Sequence, residues 1–306
     1  MKILSIGNFS NPSWDGSRPD EEHIAKALEE LGHEVIRQQR EDDNLNTGGT
    51  INTGQTDDVD FILIAQWGDY PVDMITNLKK TFDVPVVYWA FDYQNDGQEW
   101  HERLIKGADL YLSKRIADSK YPNWRWLSQD FAPQFLDKIE SGTKDIDVLF
   151  TGSYLPWATE RNETLKAIDD NFNLVIHSVN SWDGFKDVRP PIMDEGLPEL
   201  YARTRVIISI DHTIEAGYWS DRNAQIMACG GLVLFRHVPM SESVFRNNIA
   251  YFYNKEDCLD KLHNLLQPQF IQLREEYSRK GYEYAQQNLK VTNRVMDLLT
   301  IVGSIL

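Results

Sequence analysis

Residues 218–235 read YWSDRNAQIMACGGLVLF, the most specific stretch of the sequence. The pattern predicts a loop, a short helix, a glycine stop and a buried strand, in that order. Ser220 is a suitable N-cap residue, and Arg222 and Gln225 lie three residues apart, so they share one face of the first helical turn. A cation near a helix start is electrostatically unfavourable unless an anion binds beside it. The stretch therefore predicts a helix with an anion-binding face, followed by a buried strand.

Working outward, the same alternation of short apolar runs and helical segments covers the whole chain. Continuous apolar runs are typical of strands buried on both faces, and their alternation with helices predicts right-handed βαβ units and parallel sheets. A polar stretch near 138–144 separates two such series, and residues 256–306 are almost wholly helical in pattern. The predicted strands are 2–6, one that contains Val35, 61–65, 84–89, 109–112, 147–151, 174–176, 206–210 and 232–235.

The fold class expected from this pattern is α/β, with two Rossmann-like domains that each contain a parallel sheet. The predicted N-terminal domain spans residues 1–138 and the C-terminal domain 139–288. Residues 289–306 form a helix that we expect to cross back to the N-terminal domain. At 306 residues the chain is long enough for two separate hydrophobic cores.

Composition narrows the classes of function. The formal net charge of −16 disfavours general binding to phosphate backbones, which usually needs a basic face. The two cysteines have no metal-ligand spacing and are expected to be buried thiols. The N-terminus has no signal-peptide pattern, and no apolar run approaches the roughly 20 residues of a membrane span, so we expect a cytoplasmic protein.

A second candidate anion site follows the predicted strand 147–151. Gly152 lets the backbone approach a ligand closely, Ser153 follows it, and Arg161 falls in the first turn of a helix that begins near residue 159. Exposed N–H groups, the positive end of a helix and a guanidinium together suit phosphate. An ordinary strand-to-helix turn has the same composition, so the motif alone leaves both interpretations open.

The run SDRNAQIMACGG, residues 220–231, resembles the donor-binding helix of GT-B glycosyltransferases, especially the CgeB-like branch of the group 1 enzymes. A fainter resemblance, to bacteriophage DNA β-glucosyltransferases, spans both domains. These resemblances imply a GT-B fold with a cleft between two sheets and a nucleotide-sugar donor held mainly by the C-terminal half. They imply that Gly152, Ser153, Arg161 and Arg222 hold the phosphates of the donor and that Gln225 holds its ribose. His212, in the loop after the predicted strand 206–210, is a further candidate for donor binding, with a packed or solvated histidine as the alternative.

Two positions depart from the pattern of the resembled family. The residue expected to hold the ribose is usually a glutamate, whereas Gln225 offers one acceptor oxygen and a donor. Retaining members also carry a glutamate eight residues earlier, where this chain has Gly217. The missing glutamate favours an inverting reaction.

An inverting transfer needs a general base to take the proton of the acceptor hydroxyl. Asp92 is the first candidate because it follows a buried strand at its carboxyl end, where open α/β sheets bind ligands. Asp20, in the first turn of the first helix, is the second, as a residue that positions the acceptor. A strand-end cap for Asp92 and an N-cap for Asp20 are the structural alternatives.

The sequence therefore predicts transfer of a sugar from a nucleoside-diphosphate sugar, with UDP as the expected nucleotide, to an acceptor hydroxyl. No metal or other cofactor is expected, because two arginines can neutralise the leaving diphosphate. The acceptor is left open among a glycan, a small molecule and a modified DNA base, and its site is expected in the loops 8–18 and 40–58. Two alternatives stand beside this prediction: a phage-type enzyme acting on hydroxymethylated DNA bases, and a degenerate, non-catalytic protein that binds sugar nucleotides.

Overall fold

The computed structural model describes residues 1–9, 18–39, 58–65, 74–91, 99–140 and 143–306. These residues form two compact units. Unit 1 comprises the described residues up to Gln129 together with Val291–Leu306, and unit 2 comprises the described residues of Asp130–Lys290. Residues 130–138, which the sequence pattern groups with the N-terminal domain, thus belong to unit 2.

Unit 1 contains a six-stranded, fully parallel sheet in the order β2-β1-β3-β4-β5-β6. Its strands are β1 (Lys2–Gly7), β2 (Glu34–Gln39), β3 (Phe61–Ala65), β4 (Val86–Trp89), β5 (Leu110–Ser113) and β6 (Trp124–Trp126). The helices described in this unit are α1 (Asp20–Glu30), α2 (Met74–Phe82), α3 (Glu99–Gly107) and α10 (Val291–Val302), which packs against α1.

Unit 2 contains a second six-stranded parallel sheet in the order β12-β11-β10-β7-β8-β9. Its strands are β7 (Ile146–Thr151), β8 (Leu174–His177), β9 (Val188–Arg189), β10 (Thr204–Ser209), β11 (Val233–Arg236) and β12 (Ala250–Phe252). Its helices are α4 (Thr159–Asn171), α5 (Leu197–Ala202), α6 (Arg222–Ala228), α7 (Ser241–Phe245), α8 (Lys255–Leu266) and α9 (Ile271–Asn288).

The central strands are buried on both faces, as their continuous apolar sequences predict. All five residues of β3 and all four of β4 are buried, and β10 and β11 contribute Val206, Ile208 and Leu234 to the core of unit 2. Each fully buried aliphatic side chain of this kind contributes about 1.5–3 kcal/mol relative to an exposed one. Burial of these runs is therefore the main reason that both sheets form.

The glycine pair between α6 and β11 ends the helix for steric reasons. Gly230 adopts a φ of +72°, the left-handed conformation that commonly follows the last helical turn. A β-carbon at Gly231 would lie 2.6 Å from side-chain atoms of both Ile207 and Ile226. The pair thus lets α6 pack directly on β10, which fixes where the first turn of α6 lies relative to the sheet. None of the helices in the described residues is long and apolar enough to cross a membrane.

Candidate functional site

The strand order of unit 2 places a topological switch point between β7 and β10. The chain moves from β7 to β8 on one side, and β10 pairs with the other side of β7. In open parallel sheets, ligands bind at the carboxyl ends of the strands at such a point. Gly152 and Ser153 follow β7 there, and Asp211 and His212 follow β10.

Two arginines converge on the turn that follows β7. Arg161, in the first turn of α4, is only 5% exposed and donates a hydrogen bond from Nη2 to the carbonyl oxygen of Ser153 at 2.8 Å. Arg222, the first residue of α6, is half-buried, and its Nη2 lies 3.0 Å from where a β-carbon on Gly152 would be. Gly152 also has a φ of +152°, which L side chains rarely adopt. A glycine at position 152 therefore lets the guanidinium of Arg222 lie against the backbone.

The electrostatics of this turn favour an anion. Among the described residues, neither guanidinium forms an ion pair with a carboxylate, and Nε of Arg161 is buried without a hydrogen-bond partner. Burial, together with the nearby charge of Arg222, lowers the pKa of Arg161 to about 10, against the opposing effect of Asp211, whose charge raises it. A lowered pKa means that the buried charge is unfavourable in this environment, so an anion bound between the two arginines would gain attraction from both.

A polar clamp holds the loop that follows Ser153. The side-chain amide of Asn180 accepts a hydrogen bond from the backbone N–H of Tyr154 at 2.8 Å and donates one to its carbonyl oxygen at 3.0 Å. Ser178 donates to Oδ1 of Asn180 and accepts from Nε1 of Trp182 at 3.1 Å. The segment after β8 thus fixes the loop between β7 and α4, and with it the position of Arg161.

The remaining predicted donor residues lie on the segment between β10 and β11. The N-cap of α6 is Asp221, not the predicted Ser220, which lies one residue too early. Oγ of Ser220 still accepts a hydrogen bond from the backbone N–H of Arg222 at 3.2 Å. Nε2 of Gln225 donates to the carboxylate of Asp221 at 2.5 Å. The ring of His212 packs edge-on against Tyr218, with a centroid distance of 5.4 Å.

Gly217, the position at which the resembled retaining enzymes have a glutamate, is buried in the left-handed conformation, with a φ of +82°. Its N–H donates to the carbonyl oxygen of Pro239 at 3.1 Å. A glutamate in this conformation would be strained. The local backbone is therefore built around glycine.

In unit 1, Asp20 is the first residue of α1, and the N-cap position falls on Pro19. The structural alternative for Asp20, an N-cap, is therefore wrong. The neighbouring Glu21, only 6% exposed, accepts a hydrogen bond from the backbone N–H of Asn8 at the end of β1. Asp92 and most of the loops 8–18 and 40–58 lie outside the described residues.

Three residues of the candidate site were not predicted from the sequence. Asp211 is buried and accepts a hydrogen bond from the backbone N–H of Ser220 at 3.1 Å, which ties the end of β10 to the start of α6. Its place directly after a buried strand was the available signal. Asn180 and Phe150 carried no such signal, because an asparagine in a loop and a phenylalanine in a strand are common.

The two six-stranded parallel sheets with their flanking helices match the GT-B glycosyltransferase architecture. Residues 134–300, more than half of the chain, match the family model described as glycosyl transferase-like, and the chain belongs to this family. Comparison with curated proteins finds no match.

Solved structures with the same fold cover nearly the whole chain at low sequence identity. Anabaena Alr3699/HepE in complex with UDP and glucose is 12% identical, with a TM-score of 0.69 over 99% of this chain and 100% of that one. A T4 phage BGT mutant in complex with UDP-glucose is 14% identical, with a TM-score of 0.65 over 98% of both chains. Another T4 phage BGT structure holds UDP and Mn²⁺.

An alpha-glucosyltransferase in complex with UDP and a 13-mer DNA containing an HMU base is 12% identical, with a TM-score of 0.65 over 99% of both chains. At these identities the likeness shows a shared fold.

Proposed function

We propose that this chain transfers a sugar from a UDP-sugar to an acceptor hydroxyl, and that unit 2 binds the donor. The observation that supports this proposal best is the convergence of Arg161 and Arg222 on the Gly152–Ser153 turn, with no carboxylate paired to either guanidinium among the described residues. Two guanidiniums that form no ion pair, at the switch point of a parallel sheet, suit a diphosphate. Membership of the glycosyl transferase-like family and the UDP present in the similar structures support a nucleotide sugar as its source.

In the proposed reaction, the acceptor oxygen forms a bond to the anomeric carbon of the sugar while the bond from that carbon to the β-phosphate oxygen breaks. The proton of the acceptor hydroxyl passes to a base, and UDP leaves with the electron pair. Arg161 and Arg222 stabilise the negative charge that develops on the leaving diphosphate, which is why we propose a reaction that needs no metal. We propose that Gln225 binds the ribose of the donor and that His212 also contacts the donor.

For the base we keep the sequence-based assignment to Asp92, with Asp20 positioning the acceptor and the anomeric configuration inverted. An Asp92→Asn variant should bind UDP as the wild type does and lose transfer, because an amide cannot accept the proton. Loss of UDP binding in this variant would instead place Asp92 in the donor site.

The first test is calorimetric titration of UDP, GDP and TDP into the wild type, Arg222→Ala and Arg203→Ala. Arg203 is the matched control because it is an exposed arginine of unit 2 that pairs with Asp145. We expect UDP binding by the wild type and the control, and at least a hundredfold loss in Arg222→Ala, since a hydrogen bond between charged groups contributes about 1.5–3 kcal/mol and this arginine can form two. Absence of binding by all three nucleotides would contradict the proposed function.

Whether transfer depends on a metal ion is tested by measuring activity with EDTA and with added Mn²⁺. Transfer or donor hydrolysis should persist in excess EDTA and change little on addition of Mn²⁺. Activity that needs Mn²⁺, the ion present in one T4 phage BGT structure, would refute the metal-independent mechanism.

A second candidate acceptor is a hydroxymethylated base in DNA. The fold shared with the alpha-glucosyltransferase that holds DNA with an HMU base favours it, while the net charge of −16 opposes it. Incubation with UDP-glucose and duplexes with or without hydroxymethylated pyrimidines separates these cases, since only a DNA-modifying enzyme would glucosylate the modified duplex. Tight UDP binding without transfer to DNA, glycans or water would instead favour the non-catalytic alternative.

A further inference from the structure

Both arginines of the proposed donor site lie close to the same aromatic ring. The guanidinium carbon of Arg161 lies 5.9 Å from the centroid of the Phe150 ring, and that of Arg222 lies 5.4 Å from the same centroid. Both distances fall within the range of about 6 Å over which an aromatic ring attracts a cation. Phe150 is therefore a single ring shared by two like charges.

The ring itself is held firmly. Phe150 belongs to β7 and is fully buried in the core of unit 2. It packs edge-on against Trp182, with centroids 5.6 Å apart, and Trp182 is fixed by its hydrogen bond to Ser178. Trp182 also lies 5.8 Å from the guanidinium carbon of Arg161. Arg161 thus contacts two buried rings that pack against each other.

The two guanidiniums repel each other, since the charge of Arg222 is one cause of the lowered pKa of Arg161. Without an anion, Arg222 has the freedom to relieve this repulsion by turning towards water, because its side chain is only half-buried. Arg161 has no such freedom, being 5% exposed and bonded to the carbonyl oxygen of Ser153. An attraction that keeps Arg222 beside the Gly152–Ser153 turn would therefore prepare the site for its ligand.

We propose that Phe150 is a positioning residue of the donor site, whose ring holds the guanidiniums of Arg161 and Arg222 where both contact the diphosphate. This inference rests on the proposed function of the two arginines and assigns them a shared support that does not itself touch the nucleotide. Without the attraction of the ring, Arg222 is free to turn towards water in the empty site. The diphosphate must then draw Arg222 back to the turn, which costs binding free energy. The loss consequently falls on binding of the charged part of the donor.

The test compares Phe150→Leu with Phe235→Leu. Phe235 is the matched control because it is fully buried in β11 of the same sheet and its ring contacts are to Phe245 and Tyr251. Calorimetry with UDP and with inorganic pyrophosphate, which contains only the charged part, should show about a tenfold weaker affinity for both in Phe150→Leu, or about 1.4 kcal/mol. The control should retain wild-type affinity for both ligands.

Replacing Phe150 with pentafluorophenylalanine separates ring electrostatics from packing, because fluorination reverses the charge distribution of the ring and nearly conserves its shape. We expect this variant to lose affinity for UDP and pyrophosphate as Phe150→Leu does, and it keeps the test decisive if the leucine variant fails to fold. The same replacement at Phe235 should change neither affinity.

Wild-type affinity in a folded pentafluorophenylalanine variant at position 150 would overturn the inference while leaving the proposed function intact. A wild type that binds neither UDP nor pyrophosphate would instead refute the donor site itself. The two failures are therefore distinguishable.

Discussion

Replacing Gly152 with alanine tests whether the geometry of the turn after β7 controls the nucleotide. The added β-carbon would lie 3.0 Å from Nη2 of Arg222 and 3.1 Å from the Phe150 ring, in a backbone conformation with a φ of +152°. Backbone strain of this kind costs about 1–3 kcal/mol, so the free energy of unfolding should fall by that amount. The flexible end of Arg222 is the atom group that can yield, and it would move away from the turn.

Loss of one charge-assisted hydrogen bond costs about 1.5–3 kcal/mol, so we expect the dissociation constant for UDP to rise about ten- to hundredfold in Gly152→Ala. Urea unfolding measures the first effect, and calorimetry on the folded variant measures the second. The control is Gly184→Ala, since Gly184 has a φ of +83° and no atom within 4 Å of an added β-carbon. It should lose stability and keep its affinity for UDP.

The reasoning is refuted if folded Gly152→Ala binds UDP within twofold of Gly184→Ala. That result would mean that the position of Arg222 does not depend on the absence of a side chain at the turn.

Three further variants test the charges around the site. Arg222→Met should lose UDP binding yet be more stable than the wild type by about 0.5–1 kcal/mol at low ionic strength, because the repulsion between the paired arginines disappears. His177→Asn should reduce the loss of stability between neutral and mildly acidic pH. Burial lowers the pKa of His177 below its ordinary value of 6.5, so the unfolded chain takes up the proton first as the pH falls, and the folded state loses stability. Asparagine is chosen because its side chain keeps a donor for the carbonyl oxygen of Pro190, which lies 2.6 Å from Nδ1 of His177. Gln225→Glu should lower the free energy of unfolding by about 1 kcal/mol, because it replaces the hydrogen bond to Asp221 with two facing carboxylates, and adding Asp221→Asn should recover it.

Urea denaturation reads out all three, and each has an outcome that contradicts it. The first fails if Arg222→Met is less stable than the wild type at low salt. A pH dependence in His177→Asn identical to that of the wild type would show that another group causes the acid sensitivity. For the third, an unchanged stability in Gln225→Glu would mean that Asp221 does not hold this side chain.

Much of the fold could be predicted from the sequence because the central strands are buried on both faces. A strand such as β3 or β10 must be apolar along its whole length, and that requirement leaves a continuous signal. Three of the four edge strands, β6, β9 and β12, have two or three residues each and were not predicted. Residues Trp124–Trp126 and Val188–Arg189 form strands because a neighbouring strand offers them partners, which no local pattern announces.

The features of the candidate site also fall into those that a local sequence pattern predicts and those that only the fold brings together. Arg161 and Arg222 were predicted because each lies near the start of a helix that follows a glycine or polar turn, a local feature that favours anions. That they converge on one turn follows from the strand order, in which β10 pairs with β7 although two strands intervene in the chain. The same pairing brings Asp211, which follows β10, close enough to Arg161 for its charge to raise the pKa of that arginine.

The amino-acid sequence thus predicts the class of fold and the residue types able to bind a diphosphate, since burial periodicity and turn chemistry act over a few residues. Which strands are neighbours, which ring lies beside both guanidiniums and which amide binds the loop at Tyr154 follow from the folded structure alone. Those relations depend on contacts between segments far apart in the chain, and the free energy of packing the whole sheet selects them.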